Sequence, residues 1–476
     1  MHGDGDRPRE YCGVFGIYGP GLDVARLTFY GLYALQHRGQ ESAGMALADG
    51  WNVSLHKGMG LVPEVFNDRT LETLKGYLAI GHVRYSTTGA SHPINAQPLV
   101  FDYQRGQIGL AHNGNLTNTE LLRRRLADQG AVFQTTTDSE VIVNLIARSG
   151  GYSLEEALEQ CVREVEGAFS LVILTENQVM AVRDPHGFRP LCLGELDQAL
   201  VVASESCALD TIGARFVRDV APGEIVVLDR NGVTSFQTRT EKRRAHCVFE
   251  YIYFARADST IDGFNVNRVR RKLGEQLARE NPIEADLVLP VPDSGTPAAR
   301  GYADGSGIPL EEGLMKNRYI GRTFIQPSQP LRDLGVRLKL NPIREVLADK
   351  RVVLVDDSLV RGTTSGKIVR MLREAGAREI HLCLSSPSIT RPCYYGIDTS
   401  SKELIAAQKS LEEIREFTGA DSLYYLSLEG LLGVFGDYGR NFCAACFDGY
   451  YPIPPVREDR SAGRNLFGCP PGPANR

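Results

Sequence analysis

A chain of 476 residues is long enough for two or three domains, each able to bury a core of its own. Its 42% hydrophobic and 23% charged residues are ordinary for a globular protein, and no run of 18 apolar residues argues for a membrane span. A formal charge of −5 supplies no basic field for nucleic acid or an anionic membrane, so any small anionic ligand must be held by local arrangements. Residues 1–11 are polar and lack the apolar segment of a secretory signal, which leads us to expect a cytoplasmic protein. Ten cysteines are too sparse for a disulfide scaffold and, in a reducing compartment, point to catalysis or metal binding.

From residue 12 to about 228, short β-rich runs predict strands at 13–18, 77–83, 107–110, 169–174, 179–182 and 224–228. Clusters of Gly, Asn, Asp and Pro separate them, and helical patterns interrupt at 118–129 and 137–148. This succession indicates an α+β sandwich. Residues 230–244 are polar and charged and read as a boundary. Beyond them the pattern changes. Val266, Val269, Leu273 and Leu277 share one face of a helix over 265–280. Strands at 286–290 and 350–355, a helix over 363–375 and a strand at 379–384 follow, which indicates a parallel, Rossmann-like sheet. Past Pro452 the chain is rich in Pro, Gly, Arg and Asp, the composition of a mobile tail. The expected domains are therefore 12–240 and 241–452, with a tail at 453–476.

Cys12 heads the first strand, and an isolated cysteine there would ordinarily be a small buried hydrophobe. Four further blocks follow it in order: Gln36-His37-Arg38-Gly39-Gln40-Glu41-Ser42-Ala43-Gly44, Gly81-His82-Val83-Arg84-Tyr85-Ser86-Thr87-Thr88-Gly89, His112-Asn113-Gly114-Asn115 and Thr136-Thr137-Asp138-Ser139-Glu140. The series resembles the class II glutamine amidotransferases, which are N-terminal-nucleophile hydrolases with an αββα sandwich. The resemblance implies that residues 1–11 are a propeptide. Their removal would leave the Cys12 amine, with a pKa near ~8, beside its own thiol as the base. It further implies an oxyanion hole from the Asn113 side chain and the Gly114 N–H, Arg84 on the glutamine carboxylate and Asp138 on its ammonium. His37, His82 and His112 are then expected to be structural.

In the second half, Arg351-Val352-Val353-Leu354-Val355-Asp356-Asp357-Ser358-Leu359-Val360-Arg361-Gly362-Thr363-Thr364-Ser365-Gly366 is a buried strand that ends in two acids and a small-residue loop opening a helix. Backbone N–H groups and hydroxyls there can wrap a phosphate, while the paired acids can hold ribose hydroxyls and Mg²⁺. The run resembles the type I phosphoribosyltransferase loop, with its α/β parallel sheet. That implies contacts to phosphoribosyl pyrophosphate from Asp356, Asp357, Ser358, Arg361, Gly362, Thr363 and Thr364. Leu289-Pro290-Val291-Pro292-Asp293-Ser294-Gly295 is similar to the family's pyrophosphate loop, with Ser294 as a further Mg²⁺ contact. The basic stretch 316–325 looks like a mobile lid, to which Lys316, Arg318, Tyr319 and Arg322 belong.

Together the halves resemble the glutamine phosphoribosylpyrophosphate amidotransferases from Cys12 to about Pro452. The resemblance implies transfer of glutamine-derived ammonia to C1 of phosphoribosyl pyrophosphate, opening purine biosynthesis. It also implies feedback by purine nucleotides and a homotetramer or homodimer. A glutamine amidotransferase of another kind, or a ligand-sensing regulator, are the alternatives. Cys443-Ala444-Ala445-Cys446 alone suggests zinc, a redox pair or nothing. With Cys247 and Cys393 it resembles the ligand set of the family's iron–sulfur branch, which implies one [4Fe–4S] cluster. Cys161, Cys192, Cys207 and Cys383 lie in apolar surroundings and are expected in the core, and Cys469 is expected to be a bystander.

Overall fold

The computed structural model describes residues 12–85, 91–150, 152–238, 243–317, 339–397, 399 and 404–455. Most expected strands are present, several of them longer at one end. Gly13–Tyr18 and Glu379–Leu384 match their expected spans, whereas the 107–110 run belongs to an eleven-residue strand, Gly106–Leu116. That strand continues through His112, Asn113 and Gly114, polar residues whose composition gave no strand signal.

Two antiparallel sheets stack in the first half. One runs in the order Arg215–Asp219, Cys192–Leu196, Ala199–Ala203, Gly13–Tyr18, Leu78–Arg84, Ser42–Ala48 and Val53–Met59. The other runs Gly232–Gln237, Glu224–Asp229, Val179–Arg183, Gly167–Leu174, Gly106–Leu116 and Leu99–Tyr103. Alternate residues of the facing strands, among them Val14, Ile80, Val202, Val172, Ala181 and Val226, form the layer between the sheets. The outer face of the first sheet is covered by helices Val24–Ala34 and Ser206–Ile212. Helices Thr119–Asp128, Ser139–Arg148 and Leu154–Glu164 cover the second. The result is the αββα sandwich. Leu154–Glu164 was not among the expected helices, although Ser153 and Glu156 form a reciprocal N-terminal cap there.

The expected boundary at 230–244 contains an edge strand, Gly232–Gln237, paired with Glu224–Asp229. Its side chains are mostly exposed, so it reads as polar linker in sequence while its backbone completes a sheet.

The second half carries a four-stranded parallel sheet in the order Leu287–Pro290, Arg351–Asp356, Glu379–Leu384 and Ser422–Tyr425. Helices Val266–Glu280 and Thr296–Ser306 cover one face, and Thr363–Glu374 and Leu411–Thr418 the other. Burial on both faces explains the continuous apolar run Val352–Val355. Ile453, at the start of the expected tail, is anchored: its N–H donates to the Tyr395 hydroxyl at 3.0 Å. No helix among the described residues is long and apolar enough to cross a membrane.

Candidate functional sites at two strand ends

Cys12 directly precedes the first strand and is buried, 8% exposed. The antiparallel register sets Gly13 opposite Val83, which brings Cys12 to the Arg84–Tyr85 end of the neighbouring strand. There its Sγ lies 3.6 Å from the Tyr85 carbonyl. The charges of Arg84, Asp138 and Glu41 all act on the thiol, so these four residues converge. Burial pushes the thiol above its ordinary value, so it rests protonated and needs a base.

Asn113 and Gly114 come from the other sheet. The His82 Nε2 donates to the His112 carbonyl at 3.0 Å, tying the two sheets together one residue before Asn113. Burial holds His82 down at about 3, so it stays neutral at ordinary pH. Asn113 is fully buried, and neither its Oδ1 nor its Nδ2 has a hydrogen-bond partner among the described residues. An orphaned buried amide is costly, which is the mark of a group awaiting a ligand. Gly114 has φ +150°, and a Cβ there would meet the Ala168 carbonyl oxygen at 2.0 Å, so no other residue fits.

Asp138 immediately precedes helix Ser139–Arg148 and accepts from the Leu116 N–H at 3.0 Å. Burial alone would raise its carboxyl, but nearby His112 and the Leu116 and Ser139 N–H groups more than offset this and hold it below its usual range. It is therefore a fixed anion. Arg84 is the fixed cation, paired with Glu41 at 2.8 Å. Glu41 lies in the first quoted block, yet nothing in the sequence alone marked it as a partner of Arg84. Residues 86–90, which end the second block, lie outside the described residues.

His37, expected to be structural, bonds Glu205 at 2.7 Å. His112 Nδ1 lies 3.1 Å from the Ser139 hydroxyl. Cys161, Cys192, Cys207 and Cys383 are all buried, as expected, and Cys469 lies outside the described residues.

The second site lies where the parallel strands end. Asp356 closes its strand, Asp357 and Ser358 follow, and all three are buried. The Asp357 N–H donates to Asp356 Oδ1 at 2.9 Å, and the Ser358 hydroxyl donates to Asp357 Oδ1 at 2.6 Å. These bonds fix both carboxylates, yet Asp357 Oδ2 is buried without a partner among the described residues. Gly362, at φ +73°, turns the chain into helix Thr363–Glu374, whose first N–H groups face the loop together with the exposed Thr363 and half-buried Thr364. Arg361 is half-buried beside them.

The neighbouring loop is drawn alongside by the Val291 N–H, which donates to the Val355 carbonyl at 2.9 Å. It carries Ser294, whose buried Oγ also lacks a partner among the described residues. Lys316 forms an ion pair with Asp293 of the same loop. Arg318, Tyr319 and Arg322 lie outside the described residues.

Cys247 and Cys443 are register partners in a two-stranded parallel pair. Cys393 Sγ accepts from the Tyr395 N–H at 3.3 Å, and the Cys446 carbonyl accepts from the Thr390 and Arg391 N–H groups at 3.0 and 3.1 Å. Burial raises the Cys446 thiol well above its ordinary value, and the charges of Cys247, Cys393 and Cys443 raise it further. The four cysteines thus share one neighbourhood. Among the described residues, however, no three His, Cys, Asp or Glu side chains converge tightly enough to hold a single metal ion.

Residues 82–211 match the glutamine amidotransferase domain family, and residues 264–399 match the phosphoribosyl transferase domain family. The chain is 54% identical over 455 residues to the amidophosphoribosyltransferase of Synechocystis sp., covering 94% of this chain and 92% of that one. It is similar to a solved structure of glutamine phosphoribosylpyrophosphate amidotransferase from B. subtilis complexed with ADP and GMP. The TM-score is 0.89 at 50% identity, covering 94% of this chain and 98% of that one. A structure of the allosteric regulatory enzyme of purine biosynthesis matches with TM-score 0.90 and 50% identity, covering 94% and 97% of the two chains.

Proposed function

This chain belongs to the amidophosphoribosyltransferase family, and we propose a division of its reaction between the two sites. The enzyme hydrolyses glutamine and transfers the ammonia to C1 of phosphoribosyl pyrophosphate, releasing glutamate and pyrophosphate in the first committed step of purine biosynthesis. Residues 12–240 carry the first half-reaction and 241–452 the second. The observation that carries the division is a pair of buried polar groups without a hydrogen-bond partner among the described residues: the side-chain amide of Asn113, within strand Gly106–Leu116, and Asp357 Oδ2, just past the end of strand Arg351–Asp356.

Removal of residues 1–11 frees the Cys12 amine, which takes the proton of the adjacent thiol. The thiolate attacks the glutamine amide carbon, and the oxyanion is met by Asn113 Nδ2 and the Gly114 N–H. Arg84 holds the substrate carboxylate, exchanging its Glu41 pairing for it, and Asp138 holds the ammonium. The amine returns its proton to the leaving nitrogen, ammonia departs, and water hydrolyses the thioester to glutamate. Asn113→Ala is expected to lower glutamine-dependent kcat by roughly 10²–10³-fold with a smaller effect on KM, because the donor acts on charge present only in the transition state. Steady-state glutamate release measures it.

In the second half, helix Thr363–Glu374 and its hydroxyls hold the 5-phosphate, with Ser358, Arg361 and Gly362 completing the loop. Asp356, Asp357 and Ser294 would hold Mg²⁺, a fit supported by the unpartnered Asp357 and Ser294 oxygens. Bound there, the ion would neutralise charge on the pyrophosphate. Lys316, ion-paired with Asp293 of the neighbouring loop, helps to neutralise the pyrophosphate while ammonia bonds to C1 and pyrophosphate leaves.

Cys247, Cys393, Cys443 and Cys446 would hold a [4Fe–4S] cluster. A single zinc would need its sulfurs at ~2.3 Å from one ion, whereas a cluster takes each thiolate on a separate iron. Four thiols within electrostatic reach of one another supply such a set of ligands. It would tie the segment after residue 243 to the C-terminal segment. Oxygen-free preparations are expected to contain about four iron atoms per chain, and Cys446→Ser is expected to lower both iron content and thermal midpoint. Purine nucleotides act as feedback inhibitors, and the chain assembles as a homotetramer or homodimer.

The test of the whole reading is stoichiometry. Glutamate and pyrophosphate released in equal amounts support it, and glutamate without pyrophosphate would leave the second half a sensor.

A further inference from the structure

We propose that Arg38 is a positioning residue for the nucleophile, and that Glu250, from the other half of the chain, holds it in place. The inference rests on reading Cys12 as the nucleophile. Arg38 lies in the short turn Gln36–Arg38 and is 1% exposed, an unusual place for a guanidinium. Its Nε donates to the Cys12 carbonyl at 3.2 Å. The other edge of the same fork donates to both carboxylate oxygens of Glu250, at 2.7 and 3.1 Å, and forms an ion pair with Glu205. A planar fork gripped on one side has little freedom to move on the other.

A nucleophile at the end of a chain has no preceding peptide to orient it. Its amine must reach its own thiol, and rotation of the residue is then limited by where its carbonyl is held. Arg38 supplies that hold. A small misplacement of reacting groups costs far more in rate than in stability.

Glu250 opens a π-helical turn, Glu250–Phe254, three residues beyond Cys247. Such turns are rare and recur at functional sites. This one is pinned from behind by Arg270 of helix Val266–Glu280, which donates to the Tyr251 and Ala255 carbonyls, each at 2.8 Å. Arg270 also lies within electrostatic reach of Asp357. The hold on Cys12 is thus built partly from the phosphoribosyl half, through one continuous set of buried contacts.

Arg38→Lys keeps the charge but loses the Nε–H donor, and Glu250→Gln is nearly isosteric but loses the ion pair. The full-length enzyme is assayed for pyrophosphate release with glutamine and, separately, with ammonia, and the mass of its N-terminus is checked. Arg38→Lys is expected to lower glutamine-dependent kcat by about tenfold or more, with KM for glutamine changed by less than about threefold. The ammonia-dependent rate stays within about twofold of the parent, and Glu250→Gln changes the same parameter in the same direction by a smaller factor. Parallel loss of both rates would mean that the pair serves the fold alone. Unchanged kcat, a rise in KM only, or retention of residues 1–11 would overturn the proposal as well. Cys12→Ala is run alongside. Should it keep glutamine-dependent activity, the nucleophile assignment fails on its own, whatever the Arg38 variant does.

Discussion

Cys12→Ala is expected to abolish glutamine-dependent formation of pyrophosphate, by at least about 10⁴-fold, while ammonia-dependent formation persists within about twofold. The asymmetry follows from the architecture. The thiol sits at the head of the first strand of the αββα sandwich, and its burial leaves the Arg84, Asp138 and Glu41 charges around it. The acids proposed to serve phosphoribosyl pyrophosphate end a different sheet in the other half of the chain. Alanine removes a nucleophile without enlarging a side chain or stranding a charge, so the second site keeps its shape. Parallel assays with glutamine and with ammonia on one preparation decide the matter. Loss of both rates would mean that Cys12 supports the fold, and loss of neither would remove it from the chemistry.

Asp357→Asn gives the converse pattern, with pyrophosphate formation falling roughly 10²–10³-fold for either nitrogen source. Asp357 Oδ1 is already occupied by the Ser358 hydroxyl, and Oδ2 is the buried atom left without a partner. An amide there keeps the shape but supplies neither the negative charge for a divalent cation nor two acceptors for ribose hydroxyls. Glutamate release is assayed on the same variant. Glutamate that continues to form without pyrophosphate would show two separable sites, and an unchanged pyrophosphate rate would exclude Asp357 from the second.

Much of this was legible along the chain. The apolar run Val352–Val355 followed by Asp356, Asp357 and a Gly-Thr-Thr loop carries strand, acids and helix start in thirteen consecutive residues, and the structure keeps them in one place. A short β-rich run set off by turn residues likewise gave Gly13–Tyr18 its bounds. Two kinds of element were not legible. Edge strands such as Gly232–Gln237 expose most of their side chains, so polarity masks a backbone that pairs perfectly well. Polar stretches inside strands, such as His112 to Asn115, are strand because their neighbours are, and tertiary pairing overrides local preference there.

Sequence by itself showed which residue types are available: a thiol heading a strand, an amide followed by a glycine, a cation and an anion in ordered blocks, two acids before a small-residue loop, and four cysteines. These depend on residue type and short spacing, which the chain carries directly. Only the tertiary structure decided which groups meet. The Gly13–Val83 register brings Arg84 to Cys12, the His82 bond across the sheets brings Asn113 near, and Glu250 crosses more than two hundred residues to grip Arg38. The physical reason is that a buried charge or orphaned amide is tolerated only with a partner in space, and no periodicity along the chain encodes that partner.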